Sequence, residues 1–255
     1  MTMLEHDERH LWVTRRLVQG PIKTVGRLTK RVAADCTTYE FVYVGGAELY
    51  RELVPLPGFP DLNRRYESTD LFPLFTNRQM PRRRPDYGSF LEKLNLPIEA
   101  DPFEVLGRSE GRRMTDRIEV FPEPELDGAG HLSTVFFTRG VRHIRGASEA
   151  IEELSLGDNL ALDNEPDNKV DPRARLINTQ TSRAVGYLPD YLLDVVDHLQ
   201  AHDPHGVKVT VDHINLPTSA PHMRMLCRLT APWPPDFIPF SGDEFRPIAA
   251  KATTV

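Results

Sequence analysis

From Thr38 to Val44 the chain reads Thr-Tyr-Glu-Phe-Val-Tyr-Val, an alternating stretch rich in aromatic and β-branched side chains. That pattern suits a strand with one face buried. Leu11 to Leu17 predicts a second strand and Arg117 to Phe121 a third. Between them lie helical signals. Ala47 to Leu53 predicts a helical turn, and Pro85 to Leu94 a short helix with Phe90, Leu91 and Leu94 on one face. Asp101-Pro102 predicts another helix start, because Asp accepts hydrogen bonds from first-turn N–H groups and Pro fits that turn. Phe103, Val105 and Leu106 form its buried side. Pro55 to Pro60 repeats Pro and Gly, which enforces an irregular loop.

The second half predicts more strands, at Thr134 to Arg139, Asn159 to Asp163, Arg175 to Asn178 and Ala184 to Leu188. An alternating pair closes the series, Lys208 to Asn215 and His222 to Thr230. Ala147 to Leu154 reads as a helix capped by Ser148. A second helix opens at Asp190 and runs to His202, with Leu193, Val196 and Leu199 at helical spacing. Pro122, Pro124, Gly128 and Gly130 interrupt the pattern and mark residues 122–131 as a linker. The picture is an α+β chain of two modules. Residues 1–121 form a mixed β/α module, and residues 132–240 a small β-barrel decorated by helices. Residues 241–255 are polar, end Lys-Ala-Thr-Thr-Val, and read as a frayed tail.

Composition narrows the setting. In 255 residues, 40% are hydrophobic and 27% charged, enough for ordinary cores under a polar surface. No apolar run is long enough to cross a bilayer, and Met1 to Arg16 lacks the apolar centre of a signal peptide. A cytoplasmic location without membrane contact is expected. Cys36 and Cys227 lie far apart and form no metal-type pair, which suits a reducing compartment. The net charge of −6 disfavours attraction of DNA by the whole surface but leaves room for a local patch. Arginines crowd the stretch from Arg64 to Arg117, whereas acidic residues dominate Glu149 to Asp167 and recur at Asp190, Asp194 and Asp197. The run Arg82-Arg83-Arg84 reads either as a solvated cluster or as a set of phosphate contacts. In the second role it positions a nucleic acid without reading its sequence.

Motifs for catalysis are missing: no Gly-x-Ser-x-Gly, no His-Glu-x-x-His and no Walker loop. No enzyme activity and no cofactor are expected. His198 and His202, four apart with Asp197, Asp203 and His205 nearby, can face a metal from one helix side. The helix C-terminus accounts for those histidines equally well, since its dipole favours them, and Asp203-Pro204 ends the helix before His205. No metal is assigned.

Three further motifs follow in order. They are Gly140-Val141-Arg142-His143, then Glu165-Pro166-Asp167-Asn168 through Asp171-Pro172-Arg173-Ala174, then Gly186-Tyr187-Leu188-Pro189. Asn168 and Asp171 are residues that hydrogen-bond their own backbone in tight turns, and Pro166 and Pro172 fix φ beside them. Gly186 permits close backbone packing at a corner. This much describes a fold-defining loop. The same order and spacing also resemble the HIRAN domain, a small β-barrel module found alone in bacteria and at the front of DNA-repair helicases, where it grips DNA ends. The resemblance covers about Leu132 to Leu199 and implies a nucleotide pocket. Within it Arg142 would pair with a phosphate or stack on a base, and His143 would present a flat ring. The loop with Asn168 and Asp171 would form one wall together with Arg142 and His143, with Asp171 accepting from a terminal sugar hydroxyl, and Tyr187 would stack. A surface charge at Arg142 and core packing at Tyr187 are the plainer alternatives. Some end-binding members have an aromatic where this chain has Val170, and basic residues where it has Pro189 and Asp190. A missing aromatic removes about 1–3 kcal/mol of stacking per base.

A second likeness lies upstream. Val25-Gly26-Arg27-Leu28, Tyr39 to Tyr43, Leu56-Pro57-Gly58-Phe59-Pro60 and Tyr66 to Asn77 are similar to the small N-terminal subdomain of HipA-type toxin kinases. No kinase phosphate loop or metal pair accompanies them, so a regulatory or docking piece is implied. Together these readings predict a nucleic-acid-binding accessory protein. Its HIRAN-like module would grip DNA, at single strands or 3′ ends, in repair, defence or a toxin–antitoxin setting, with a kinase, helicase or nuclease as a further partner. The alternative is a protein-interaction module that docks a HipA-type kinase or another partner.

Overall fold

The computed structural model describes residues 7–16, 22–33, 36–49, 54–113 and 115–249. Within them the chain separates into two compact units, each assembled from separated stretches. The first gathers the residues up to Gly88, Pro97–Glu123 and the stretch from Phe240; the second gathers Ser89–Leu96 and Pro124–Pro239.

The first unit contains β1 (Asp7–Arg16), β2 (Ile22–Ala33), β3 (Cys36–Tyr43), β4 (Tyr66–Ser68) and the one-turn helix α1 (Pro73–Thr76). Helix α2 (Tyr87–Lys93) begins here and runs into the Ser89–Leu96 stretch of the second unit; α3 (Pro102–Arg108) and β5 (Ile118–Pro122) belong to the first. The strands form an antiparallel sheet in the order β4-β3-β2-β1-β5. Leu11, Val13, Val25, Leu28, Phe41 and Tyr43 fill its inner face, and Phe103 and Leu106 of α3 pack with them. Helix α3 starts as the sequence predicts: the Asp101 carboxylate accepts from the Phe103 N–H at 2.8 Å and also pairs with Lys30.

Strand β2 is the longest in the unit, and its sequence pattern predicts no strand along that length. A bulge explains this. Val13 pairs with Gly26 and Thr14 with Thr24, so Val25 is one residue extra in its strand. Val25 and Leu28 therefore both reach the core although they stand three apart, which hides the period of two. The expected helical turn at Ala47 to Leu53 shortens to a 3-10 turn over Gly45–Ala47, with residues 50–53 outside the described ones.

Two irregular segments are tied down by specific bonds. The buried Tyr43 hydroxyl donates to the Phe59 carbonyl at 2.8 Å and accepts from the Leu56 N–H at 2.6 Å, which holds the Pro55–Pro60 loop. Burial pushes this phenol up to about 12. The stretch read as a frayed tail is packed through residue 249. Phe245 meets the Trp12 ring edge-on at 5.1 Å and the Gly45 N–H donates to the Arg246 carbonyl at 2.9 Å, while Phe240, just before that stretch, lies 5.3 Å from Phe121. A Cβ on Gly46 would stand 2.1 Å from the Thr24 carbonyl oxygen, so the approach requires glycine.

The second unit contains β6 (Glu125–Leu126), β7 (His131–Phe137), α4 (Ala147–Glu152), β8 (Asn159–Asn164) and β9 (Arg175–Asn178). After these come β10 (Ala184–Tyr187), α5 (Leu193–His202), β11 (Lys208–Ile214) and β12 (Met225–Pro232). All pairings are antiparallel, in the order β10-β9-β8-β11-β12-β7-β6. Ile151, Ile177, Val196, Val211, Leu226 and Leu229 are buried in this unit. The expected linker 122–131 holds the end of β5 and all of β6.

Two expectations are corrected here. The sheet is not a closed barrel: β10 meets the stretch after β7 only through the single bridge Arg139↔Tyr187. Gly140 takes φ +69° immediately after that bridge and turns the chain away, so no ladder can extend from it. Ser148 does not cap α4. Gly146, at φ +78°, stands at the cap, and the Ser148 hydroxyl bonds Glu152 instead. Asp190 opens a 3-10 turn, Asp190–Leu192, that leads into α5. Among the described residues no helix is long and apolar enough to cross a membrane.

Arg78, at the head of the arginine run, is buried rather than solvated. Its guanidinium bonds both Asp116 oxygens, at 3.0 and 2.6 Å, and the Gly111 carbonyl at 3.1 Å. Burial alone would raise the Asp116 carboxyl, but the bonds from Arg78 and the Ile118 N–H and the Arg78 charge outweigh it and lower the pKa. A depressed carboxyl contributes stability above the unfolded value, about 4, and loses it on acidification. Arg78→Ala should cost about 2–3 kcal/mol in urea unfolding. It should also flatten the fall of stability below about pH 4 that the wild type shows. Equal stability and an unchanged pH profile would show that the pair is dispensable.

Candidate nucleic-acid interface

The three motifs meet at one corner of the second unit. After β7 the chain reaches Arg139, whose N–H donates to the Tyr187 carbonyl at 2.9 Å; the Tyr187 N–H returns a bond to the Arg139 carbonyl at 2.8 Å. Two glycines permit this approach. Gly186 stands at φ +154°, and a Cβ there would lie 2.7 Å from the Thr138 Cβ. A Cβ on Gly140 would lie 2.8 Å from Cδ2 of the Tyr187 ring. Between them the chain makes a 3-10 turn over Val141–His143, anchored by the buried Val141.

Arg142 and His143 project from that turn into solvent. The Arg142 Nε–H donates to His143 Nε2 at 2.9 Å.

The loop between β8 and β9 is closed by its own polar groups, as its turn residues predict. Asn168 Oδ1 accepts from the Val170 and Asp171 N–H groups at 2.9 and 3.2 Å, and Asp171 Oδ1 accepts from the Arg173 N–H at 2.8 Å. Asn168 Nδ2 donates to Glu165 at 2.5 Å. The half-buried Tyr187 hydroxyl joins them. Burial raises its pKa, the bond and charge of Glu165 raise it further, and the Asn168 bond opposes. Tyr187 thus braces the loop with its hydroxyl while its ring lies under Gly140. Val170 is 91% exposed.

The structure therefore links the turn that carries Arg142 and His143 to Tyr187 through Gly140, and Tyr187 to the loop of Asn168 and Asp171 through its hydroxyl. Arg82, Arg83 and Arg84 belong to the first unit. Of these, Arg82 donates to the Ala100 carbonyl at 2.9 Å and Arg84 grips Asp86 with two 2.8 Å bonds. Arg83 is exposed and has no ion pair among the described residues.

Other residues of the corner carry no sequence signal. Arg173 bonds Asp194 of α5 at 2.5 Å, and Arg175 bonds Asp197 one turn on. Partners 21 and 22 positions apart cannot be read from local spacing. Arg145 and Lys169 are exposed cations without an ion pair among the described residues. Among those residues no group of three His, Cys, Asp or Glu is placed to hold a metal, and His198 stacks on Phe237 at 4.2 Å. Cys36 is exposed and Cys227 buried, and both are free thiols.

No family model matches the chain, and no curated protein matches it. Two solved structures do. The HIRAN domain of human HLTF aligns at 18% identity over 41% of this chain and 81% of its own, with a TM-score of 0.30. A structural-genomics protein from Lactobacillus plantarum aligns at 16% identity over 40% of this chain and 97% of its own, with a TM-score of 0.32.

Gly140→Ala should destabilise the second unit by about 1–2 kcal/mol, from the positive φ and the clash with Tyr187. It should also speed amide exchange at Asp171 and Arg173. Unchanged stability and exchange would show that Gly140 does not seat the ring that braces the loop.

Proposed function

We propose that this protein is a nucleic-acid-binding accessory factor, and that the corner of the second unit is its binding site. The observation that carries the reading is the Arg142–His143 pair, exposed, outward-facing and mounted on a turn whose base is fixed by two glycines and a buried valine. Arginine and a flat ring side by side match the chemistry of a phosphate next to a base. The order of the three motifs, with its likeness to HIRAN domains, favours the same assignment. Asp171 supplies a carboxylate for a sugar hydroxyl, and Asn168 and Tyr187 hold the loop in shape. Single-stranded or 3′-ended DNA is the substrate class that this combination fits. In this reading the module around 132–240 binds, the module around 1–121 is accessory, and no chemical step occurs.

Exposed Val170 in place of an aromatic keeps the affinity modest. Arg82 and Arg84 contribute little, because each is already bonded within its own unit; Arg83 is the one member of the run with no such bond.

Fluorescence anisotropy with matched single-stranded, blunt and 3′-overhang oligonucleotides tests this. Wild-type binding should weaken with salt, by about 0.7 in log–log slope for each phosphate engaged on a single strand. The double change Arg142→Ala/His143→Ala should remove most of it. Binding that survives that change and fails on Arg83→Ala would move the site to the first unit. No binding at low salt would end the nucleic-acid reading, and a salt-insensitive protein partner would take its place.

A further inference from the structure

The corner holds more cationic groups than it shows. Arg173 leaves the 165–174 loop beside Asp171, and its guanidinium is held by Asp194 at 2.5 Å. Arg175, two residues on, is held by Asp197. The two acids stand one turn apart on α5 and take both arginines of the loop's exit. The two pairs differ in burial. Arg175 is 15% exposed and Asp197 42%, so this pair is partly shielded. Arg173 is 55% exposed and Asp194 72%, so this pair sits in water. An exposed ion pair is held by little free energy, about 0–1 kcal/mol. A phosphate offers a guanidinium the same two-oxygen geometry as a carboxylate, with comparable or greater charge.

We propose that Asp194 is a masking residue for the nucleic-acid site. Its carboxylate occupies the Arg173 guanidinium as an internal substitute for phosphate, and a phosphate of the bound strand takes its place. The inference rests on the reading of this corner as a nucleic-acid site and adds its regulation. The loop makes the exchange possible without refolding. Asp171 fixes the Arg173 backbone through its N–H, and Asn168 fixes Asp171, so only the long side chain has to swing. The cost of freeing Arg173 on each binding event lowers the affinity and raises selectivity for a partner with a phosphate at that one position. Neutralising Asp194 removes the nearer competitor and leaves only Asp171 Oδ1, 4.0 Å from the Arg173 Nε, whereas neutralising Asp197 disturbs a more buried contact.

The test uses the full chain, a labelled short oligo-thymidine strand and anisotropy across a salt series. Asp194→Asn should bind roughly two- to fivefold more tightly at low salt, with the log–log salt slope steeper by about 0.7. In the wild-type background Arg173→Ala should weaken binding less than it does in the Asp194→Asn background, where it should erase the gain. That non-additivity separates release of the arginine from simple loss of a negative charge. Urea unfolding should show that both variants stay folded. A gain that persists in Asp194→Asn/Arg173→Ala overturns the masking role, because it then reflects repulsion alone. An unchanged affinity and slope in Asp194→Asn, with binding still lost in Arg142→Ala/His143→Ala, overturns masking and leaves the site standing. If neither wild type nor Asp194→Asn binds at low salt, the site and the masking role fall together.

Discussion

The close approach of two backbone strands at Gly140 and Gly186 is the constraint on which the corner depends. The Arg139–Tyr187 bridge needs two positions without side chains, one at φ +69° and one at φ +154°. Once the bridge forms, Tyr187 is carried under Gly140 and its hydroxyl reaches Glu165 and Asn168. The loop then closes on itself through Asn168 and Asp171, and the Val141–His143 turn is left facing outward. Three motifs that lie up to about fifty residues apart become one surface because of two missing Cβ atoms.

Charge is distributed by the same local logic. Counted along the chain, the arginines from Arg64 to Arg117 look like a basic field. In the structure several are spent on neighbours: Arg78 on Asp116, Arg82 on the Ala100 carbonyl, Arg84 on Asp86. The loop arginines Arg173 and Arg175 are likewise held by α5. What remains for an anionic partner is a few exposed groups, Arg142, Arg145 and Lys169 among them. This sparse patch agrees with a net charge of −6, since attraction then depends on where the unbonded cations sit rather than on their number.

Legibility in the sequence followed the range of the physics. Helix α3 was readable because its cap, its first-turn proline and its buried face are all local. Strand β9 and the self-bonded loop before it were readable for the same reason. Strand β2 was not, because the bulge at Val25 shifts the apolar phase and cancels the alternation. The tail was misread because its one phenylalanine, Phe245, reveals its role only beside Trp12. Of the corner, the exposed Arg142–His143 turn and the loop residues were legible as motifs, whereas the bracing role of Tyr187 and the grip of α5 on Arg173 were not.

By itself the amino-acid order determined helix α3, strands such as β9 and the self-bonded loop before it, since propensity, capping and Asx hydrogen bonds act within a few positions. Only the tertiary structure decided three further things: that the second sheet stays open, that the stretch from Phe240 completes the first unit, and which arginines are bonded. The physical reason is common to all three. Each depends on distance between residues far apart in the chain, and neither a carboxylate's choice of guanidinium nor a glycine's tolerance of a neighbouring backbone exists until folding brings the groups within contact.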